Sequence, residues 1–252
     1  MLYFNKEIKA FVKGMNIMAE NYTTALQRQN GSGIERFFGS SGGAEQLLET
    51  AQPFMELLMR NECALKEIET KLNVLNDEFS LQYDHNPIES IKTRVKDPMS
   101  IIEKMKRKGV APTIENIENT LNDIAGIRVI CSFPQDIYAL ADMLTRQDDV
   151  TLIAKKDYIA NPKPNGYRSL HLILGIPIFL SEGKRQMKVE VQFRTIAMDF
   201  WASLDHKMRY KQDVENADEI MAELKLCADA ISAIDLRMQA IRNRIERDRE
   251  TE

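Results

Sequence analysis

Disulfide and metal-site chemistry have little to work with in this sequence. It holds three cysteines, Cys63, Cys131 and Cys227, and none has metal-ligand spacing to another cysteine or to a histidine. They are expected to be reduced thiols of a cytosolic protein, with Cys131 and Cys227 on apolar faces. Histidine is just as sparse, and His85 and His206 share no ligand spacing, which argues against zinc. The opening MLYFNKEIKAFVKGMNIMAENY contains no long apolar run. Neither a signal peptide nor a membrane span is therefore expected, and the cytoplasm is the default location. Excess positive charge is missing as well. The 34 Lys and Arg against 38 Asp and Glu leave a net charge of −4. That excludes bulk attraction to nucleic acid or a membrane, so any anion site must be local.

The chain does have enough apolar material for a real core. Its 252 residues are 44% hydrophobic and 29% charged, which suits one sizeable domain with helical additions. Leu2, Phe4, Ile8, Phe11 and Met15 suggest an amphipathic helix at the start, and the Gly- and Ser-rich residues 31–43 mark a loop after it. From Glu45 to Gln82 the pattern is helical, with Leu57, Ala64, Ile68, Leu72, Leu75 and Phe79 at three- and four-residue steps. Asp97-Pro98 is a start signal for a helix over Pro98–Lys108, with Asp as N-cap, Pro at the first position and Gly109 as the stop.

Period-2 alternation then dominates. In Lys188–Arg194, Val189, Val191 and Phe193 point one way and Glu190, Gln192 and Arg194 the other. Ile127–Phe133 puts Arg128 opposite an apolar face, and Ser169–Phe179 sets His171 opposite Leu170, Leu172 and Leu174. A further strand is expected over Val150–Ile159, a helix over Gln135–Arg146, and another helix from about Thr195. The fold class is therefore α+β, a sheet core with flanking N- and C-terminal helices. A solvated outer sheet face would also look polar. The Asn161–Gly166 loop running into a strand that bears His171 favours a site instead.

The C-terminal segment repeats with unusual regularity. Ile220, Leu224, Cys227, Ile231, Ile234, Met238, Ile241 and Ile245 alternate steps of four and three. A 3.5-residue repeat is the seam of a coiled coil or bundle, narrower than the stripe of a helix lying on its own domain. Packing against another subunit is the expectation. Residues 1–44 are assigned to an N-terminal extension, 45–211 to the main domain and 212–252 to an oligomerisation helix.

Four ordered motifs carry a family resemblance. RVKDPMSIIEKM (94–105), DIAGIRV (123–129), KDYIANPKPNGYRSLH (156–171) and VEVQFRT (189–195) closely resemble the synthetase domain of RelA/SpoT-type proteins. With no room for a second, hydrolase domain and no His-Asp pair of that domain, the likeness is to the small alarmone synthetases. The resemblance implies a mixed-sheet, nucleotidyltransferase-like core. It also implies an enzyme that moves the β,γ-pyrophosphate of ATP to the 3′-hydroxyl of GTP or GDP, releasing AMP. Small synthetases commonly assemble as tetramers through terminal helices, so a homo-oligomer is implied, with regulatory RNA or alarmone binding as a further interaction.

The chemistry can be assigned residue by residue. Phosphoryl-type transfer depends on positioning and charge compensation, and Mg²⁺ needs only one or two carboxylates. Asp123 and Glu190 are the candidate pair. Asp123 is expected as metal ligand, and Glu190 as a second metal contact or as the group that orients and deprotonates the 3′-hydroxyl. Asp123 read alone could equally cap a turn. By resemblance Arg94 and Arg128 sandwich the adenine of ATP, while Lys96, Ser100 and Lys104 take its phosphates. Planar guanidinium suits the first job and compact ammonium the second. Lys106 and Lys108 are read as solvated. The acceptor site is expected at Lys163, Asn165, Tyr167, Arg168 and His171, with Tyr167 stacking on guanine and Arg168 and His171 donating to phosphate or ribose. Lys156, Gln192 and Arg194 are assigned to the same GTP/GDP site. Asp199 stands where small synthetases often carry Asn. Two other readings remain: a relative that pyrophosphorylates adenosine nucleotides or the tRNA 3′ end, and a catalytically silent nucleotide- or RNA-binding regulator.

Overall fold

Alternating apolar side chains fix five strands in one mixed sheet. These are β1 (Ile88–Val95), β2 (Ala125–Cys131), β3 (Thr151–Asp157), β4 (Leu170–Leu180) and β5 (Gly183–Thr195). The computed structural model describes residues 44–82, 86–209 and 217–250. The N-terminal helix and the Gly/Ser loop expected from the sequence lie outside those residues, as does His85. The helices are α1 (Ala44–Gln82), α2 (Pro98–Arg107), α3 (Ile114–Thr120), α4 (Pro134–Thr145), α5 (Ile196–Arg209) and α6 (Ala217–Glu250). No described helix is long and apolar enough to cross a membrane.

The chain forms two compact units. Among the described residues, one comprises 44–60 together with Lys96–Ile124, the other 61–82 and 86–95 with 125–209 and 217–250. In the first, α2 packs on α3, and Ile101, Met105, Ile117, Leu121 and Ile124 are buried. The Asp97 carboxylate caps α2, accepting from the N–H groups of Met99 (2.9 Å) and Ser100 (3.2 Å). The expected cap is there, and it occupies donors at the helix N-terminus that would otherwise favour a bound anion.

In the second unit the strand order is β1-β2-β5-β4-β3. Only β2 and β5 run parallel; the other pairs are antiparallel. Leu170, Leu172, Leu174, Ile176 and Ile178 of β4 join Val189, Val191 and Phe193 of β5 and Ile127 and Val129 of β2 in the core. Ala64, Leu65, Ile68, Leu72 and Phe79 of α1 and Ile137, Leu140 and Leu144 of α4 belong to the same core. Strand β1 is absent from the sequence reading. Ile88 and Ile91 both belong with the core though three residues apart, because the register shifts between Ile88 and Ser90. An irregularity there breaks the alternation that reveals the other strands.

Helix α6 packs on α5 and α4, and the repeat seen in sequence divides along it. Leu224 and Ala228 are buried, and Ile231 packs with them and Trp201. Asp235 and Gln239 continue the buried face. By contrast Ile234, Met238, Ile241 and Ile245 are exposed. Ile220 is exposed too, so the buried line through Leu224, Ala228, Asp235 and Gln239 takes up only part of the 3.5-residue repeat from its start. Cys227 is exposed on that flank, contrary to the core position expected for it. Cys131 is buried, and burial pushes its thiol pKa well up, leaving it unreactive.

Candidate active site

Register across the sheet collects the polar residues of the second unit into a row. Lys92 pairs with Arg128, Arg128 with Gln192, Gln192 with His171 and His171 with Lys156. Residues directly opposite on neighbouring strands share a face, so one row runs across all five strands. Glu190 and Arg194 lie two residues either side of Gln192 and therefore on that same face.

Four of these side chains and the hydroxyl of a turn residue, Tyr167, close a hydrogen-bonded circuit, which Arg194 extends through Asp199 to Arg128. Glu190 Oε1 lies 3.3 Å from His171 Nδ1. His171 Nε2 lies 2.8 Å from the Tyr167 hydroxyl. Arg194 Nη2 donates to that hydroxyl (2.8 Å) and to Gln192 Oε1 (3.2 Å), and Gln192 Nε2 donates to Glu190 Oε2 (2.8 Å). The Tyr167 hydroxyl thus bridges Arg194 and His171, and a His171 tautomer that carries its proton on Nδ1, facing Glu190, leaves Nε2 to accept from that hydroxyl. The circuit holds both oxygens of Glu190 in fixed directions. Arg194 also gives Nη1 to Asp199 Oδ1 (3.0 Å), which takes Arg128 Nη1 as well (3.2 Å). Lys92 Nζ is 3.9 Å from the other Asp199 oxygen. Burial and the neighbouring Arg194 lower the Arg128 pKa, and Asp199 opposes them. One carboxylate therefore keeps two guanidiniums side by side.

Tyr167 comes from the turn before β4. Gly166 N–H closes the turn on Lys163 O (2.8 Å), with Gly166 at φ +86°. Asn165 Oδ1 accepts from Tyr167 N–H (3.3 Å). Tyr158 packs edge-on against Tyr167 (centroids 6.0 Å) and His171 (5.3 Å). Lys163 Nζ sits 4.6 Å from the Tyr158 ring centroid and 4.7 Å from that of Tyr167. Lys156 and Arg94 are exposed. Arg168 turns the other way: its guanidinium bonds to Gly166 O, Ala228 O and the Asp229 carboxylate of α6.

In the first unit the site residues are Lys96, Ser100, Lys104 and Asp123. Lys96 Nζ (2.7 Å) and Lys104 Nζ (2.6 Å) both donate to Asp123 Oδ2. Burial acts to raise the Asp123 pKa, but the bonds and charges of Lys104 and Lys96 outweigh it and hold the carboxyl below its usual range. Ser100 lies in the first turn of α2, half-buried, whereas Lys106 and Lys108 are exposed. Asp123 Oδ1 is buried without a hydrogen-bond partner. An anionic oxygen left open in this way fits a hard divalent cation, which needs few protein ligands. No group of three His, Cys, Asp or Glu side chains suited to a metal occurs among the described residues.

Residues 93–215 match the region found in RelA / SpoT proteins. The GTP pyrophosphokinase YwaC of Bacillus subtilis is 43% identical over 183 residues, 73% of this chain and 87% of that protein. This chain belongs to the RelA/SpoT family, among its small alarmone synthetases. The GTP pyrophosphokinase YjbM of the same organism is 37% identical over 73% of this chain and 85% of its own. Small alarmone synthetase 1 of B. subtilis, solved with its product pppGpp, superposes with a TM-score of 0.71 at 35% identity over 77% of this chain and 98% of that one. Small alarmone synthetase 2 gives 0.68 at 41% identity over 76% and 98%.

Three members of the site had no role in the sequence reading. Tyr158 lies inside a quoted motif, where its N–H bonds to Ser169 O (3.0 Å). Asp199 and Asp229 are single carboxylates on helices, and nothing local marks which cation a surface Asp will meet.

Proposed function

We infer that this chain is a GTP pyrophosphokinase, a (p)ppGpp synthetase. The 3′-hydroxyl of GTP or GDP attacks the β-phosphorus of ATP. A bond forms from the 3′-oxygen to that phosphorus, the bond to the bridging oxygen of the α-phosphate breaks, and AMP leaves with the electron pair. What carries the reading is the 43% identity to a GTP pyrophosphokinase along 87% of its length.

In this reading Arg94 and Arg128 hold the adenine, and Lys96, Ser100 and Lys104 take the ATP phosphates. Asp123 turns Oδ1 to Mg²⁺, which when bound neutralises charge on the transferred group. Glu190 orients the 3′-hydroxyl and receives its proton, with His171 and Gln192 fixing the carboxylate plane. Tyr167 stacks on guanine, while Lys156, Lys163, Asn165 and Arg194 complete the acceptor side. Lys163 gives way to the base, since an exposed cation–π contact is worth ~0.5–1 kcal/mol and base stacking ~1–3 kcal/mol. We place the enzyme in the cytoplasm as a homo-oligomer, a tetramer built through α6.

Incubation with γ-labelled ATP, Mg²⁺ and each acceptor in turn tests the proposal. Label in pppGpp or ppGpp with stoichiometric AMP is expected. Label on adenosine nucleotides or tRNA, or release only as inorganic phosphate, would overturn it.

A further inference from the structure

The turn that carries Tyr167 is seated on α6, and one side chain does most of the fastening. Arg168 Nη1 donates to Gly166 O of its own turn (3.0 Å) and to Ala228 O of α6 (3.2 Å), and Nη2 to Asp229 Oδ1 (2.9 Å). Its side chain is only 14% exposed. Lys225 holds the second Asp229 oxygen at 2.8 Å. The hydrogen bonds of Lys225 and Arg168 keep the Asp229 carboxyl below its usual range. The seat is tight: a Cβ on Gly166 would stand 2.5 Å from Ala228 Cβ and 3.2 Å from Lys225 Cα. Tyr167 itself packs against the cluster of Trp201, Leu224 and Ala228, where Trp201 Nε1 donates to Leu224 O (3.0 Å).

We propose that Arg168 is a positioning residue that locks the acceptor turn to α6 through Asp229, so that the docking of this helix sets affinity for the guanosine nucleotide. The proposal rests on the GTP pyrophosphokinase reading and assigns a regulator to that same site. A guanidinium offers a rigid fork of donors. Here the fork already spans two carbonyls and a carboxylate on two elements, and reaching a phosphate would require breaking all three contacts. Tyr167 is the neighbour of Arg168 in sequence and touches His171 and Arg194, so a displaced turn moves the stacking ring and opens the circuit around Glu190. ATP recognition uses other residues and is left alone.

The full-length chain with Asp229→Ala, Arg168→Ala and both together decides the matter, through steady-state kinetics and amide exchange of residues 163–171. The lock predicts that Asp229→Ala raises KM for GTP about five-fold, as loss of a partly exposed ion pair allows. Arg168→Ala raises it further, the double variant adds nothing to Arg168→Ala, and KM for ATP stays within about two-fold throughout. The Gly166 amide exchanges faster in each variant. If Arg168 were instead a ligand of the nucleotide, Asp229→Ala would free it, and KM for GTP would stay at or below the wild-type value. That result, or unchanged exchange of the turn, overturns the proposal. Asp229 lies partly exposed on a helix, so its alanine variant keeps the test open even if Arg168→Ala fails to fold. A wild-type chain that makes no pppGpp would sink the catalytic reading, while the exchange data would still decide the lock.

Discussion

Ile234→Ala separates the two faces of α6 and yields a number that can be checked. Ile234 is 60% exposed in the single chain, and Met238, Ile241 and Ile245 continue the flank at 51%, 43% and 50%. Fully burying an Ile side chain is worth roughly 1.5–3 kcal/mol, so covering what remains exposed of Ile234 gives about 1–2 kcal/mol. Across a two-fold seam the residue counts once from each subunit, so truncation costs about 2–4 kcal/mol per contact. The dissociation constant should then rise roughly 30- to 700-fold. Sedimentation velocity over a concentration series reads this directly, with thermal melting of the monomer as control. Ile231→Ala should behave oppositely: its side chain packs on Trp201, Leu224 and Ala228 of its own chain, so it lowers the melting temperature. Ile234→Asp should dissociate the assembly outright, because burying a carboxylate in an apolar seam is costly. A wild-type chain that sediments as a monomer at micromolar concentration, or an Ile234→Ala variant that assembles like wild type, refutes the reasoning.

Three further outcomes are expected. Asp123→Asn and Glu190→Gln should each lower turnover by about 10²-fold or more with unchanged circular dichroism, since each removes charge aimed at the transition state; near-wild-type turnover in both would rule out these roles. Tyr167→Ala should cost about 1–3 kcal/mol in guanosine nucleotide binding and little in ATP binding, with Arg94→Ala and Arg128→Ala doing the reverse, as calorimetry with each nucleotide would reveal. Burial raises the Asp235 carboxyl pKa against the opposing hydrogen bond from Thr195. The folded state thus holds that proton longer than the unfolded chain does, and stability falls as pH rises through and above the usual carboxylate range. Asp235→Asn, which can still accept from Thr195, should therefore be more stable than wild type at pH 7 but not below about pH 4; equal urea midpoints at both pH values would contradict the assignment.

Much of the second unit was legible because its strands alternate without interruption. Val189, Val191 and Phe193 declare one face of β5, and the residues between them, Glu190 and Gln192, had to share the other. His171 and Arg128 followed by the same rule. Strand β1 was not legible, since the register shift at Ile88/Ser90 puts two core isoleucines at a helical spacing. The α6 repeat was read correctly as a repeat and incompletely as a surface. Its period is a property of sequence, whereas which of its positions meet the core depends on how the helix is docked: Leu224 and Ile231 do, while Ile220 and Cys227 do not. Arg168 illustrates a different limit. An Arg beside a Tyr in a turn reads as a ligand in one dimension, and only packing reveals that Asp229, 61 residues later, already holds it.

A chain with a net charge of −4 can still bind polyphosphates, because its cations are grouped around single shared carboxylates. In the first unit Asp123 Oδ2 takes two lysines, and in the second Asp199 Oδ1 takes two arginines. In each arrangement the cations outnumber the carboxylate they share, which is enough to attract an anion, while the carboxylate screens the repulsion that would otherwise spread the cations apart. Were each cation paired one-to-one, no attraction would remain. Were none paired, the half-buried guanidinium of Arg128 and the buried one of Arg194 would face each other unscreened, at a cost that grows as water is excluded. Asp at position 199 follows from the same reasoning: the oxygen of a neutral Asn could accept both hydrogen bonds, as Asp199 Oδ1 does, but could not offset either charge. The acidic balance of the whole chain and the basic character of its candidate site are therefore compatible, the first acting over the long range and the second within a few ångströms.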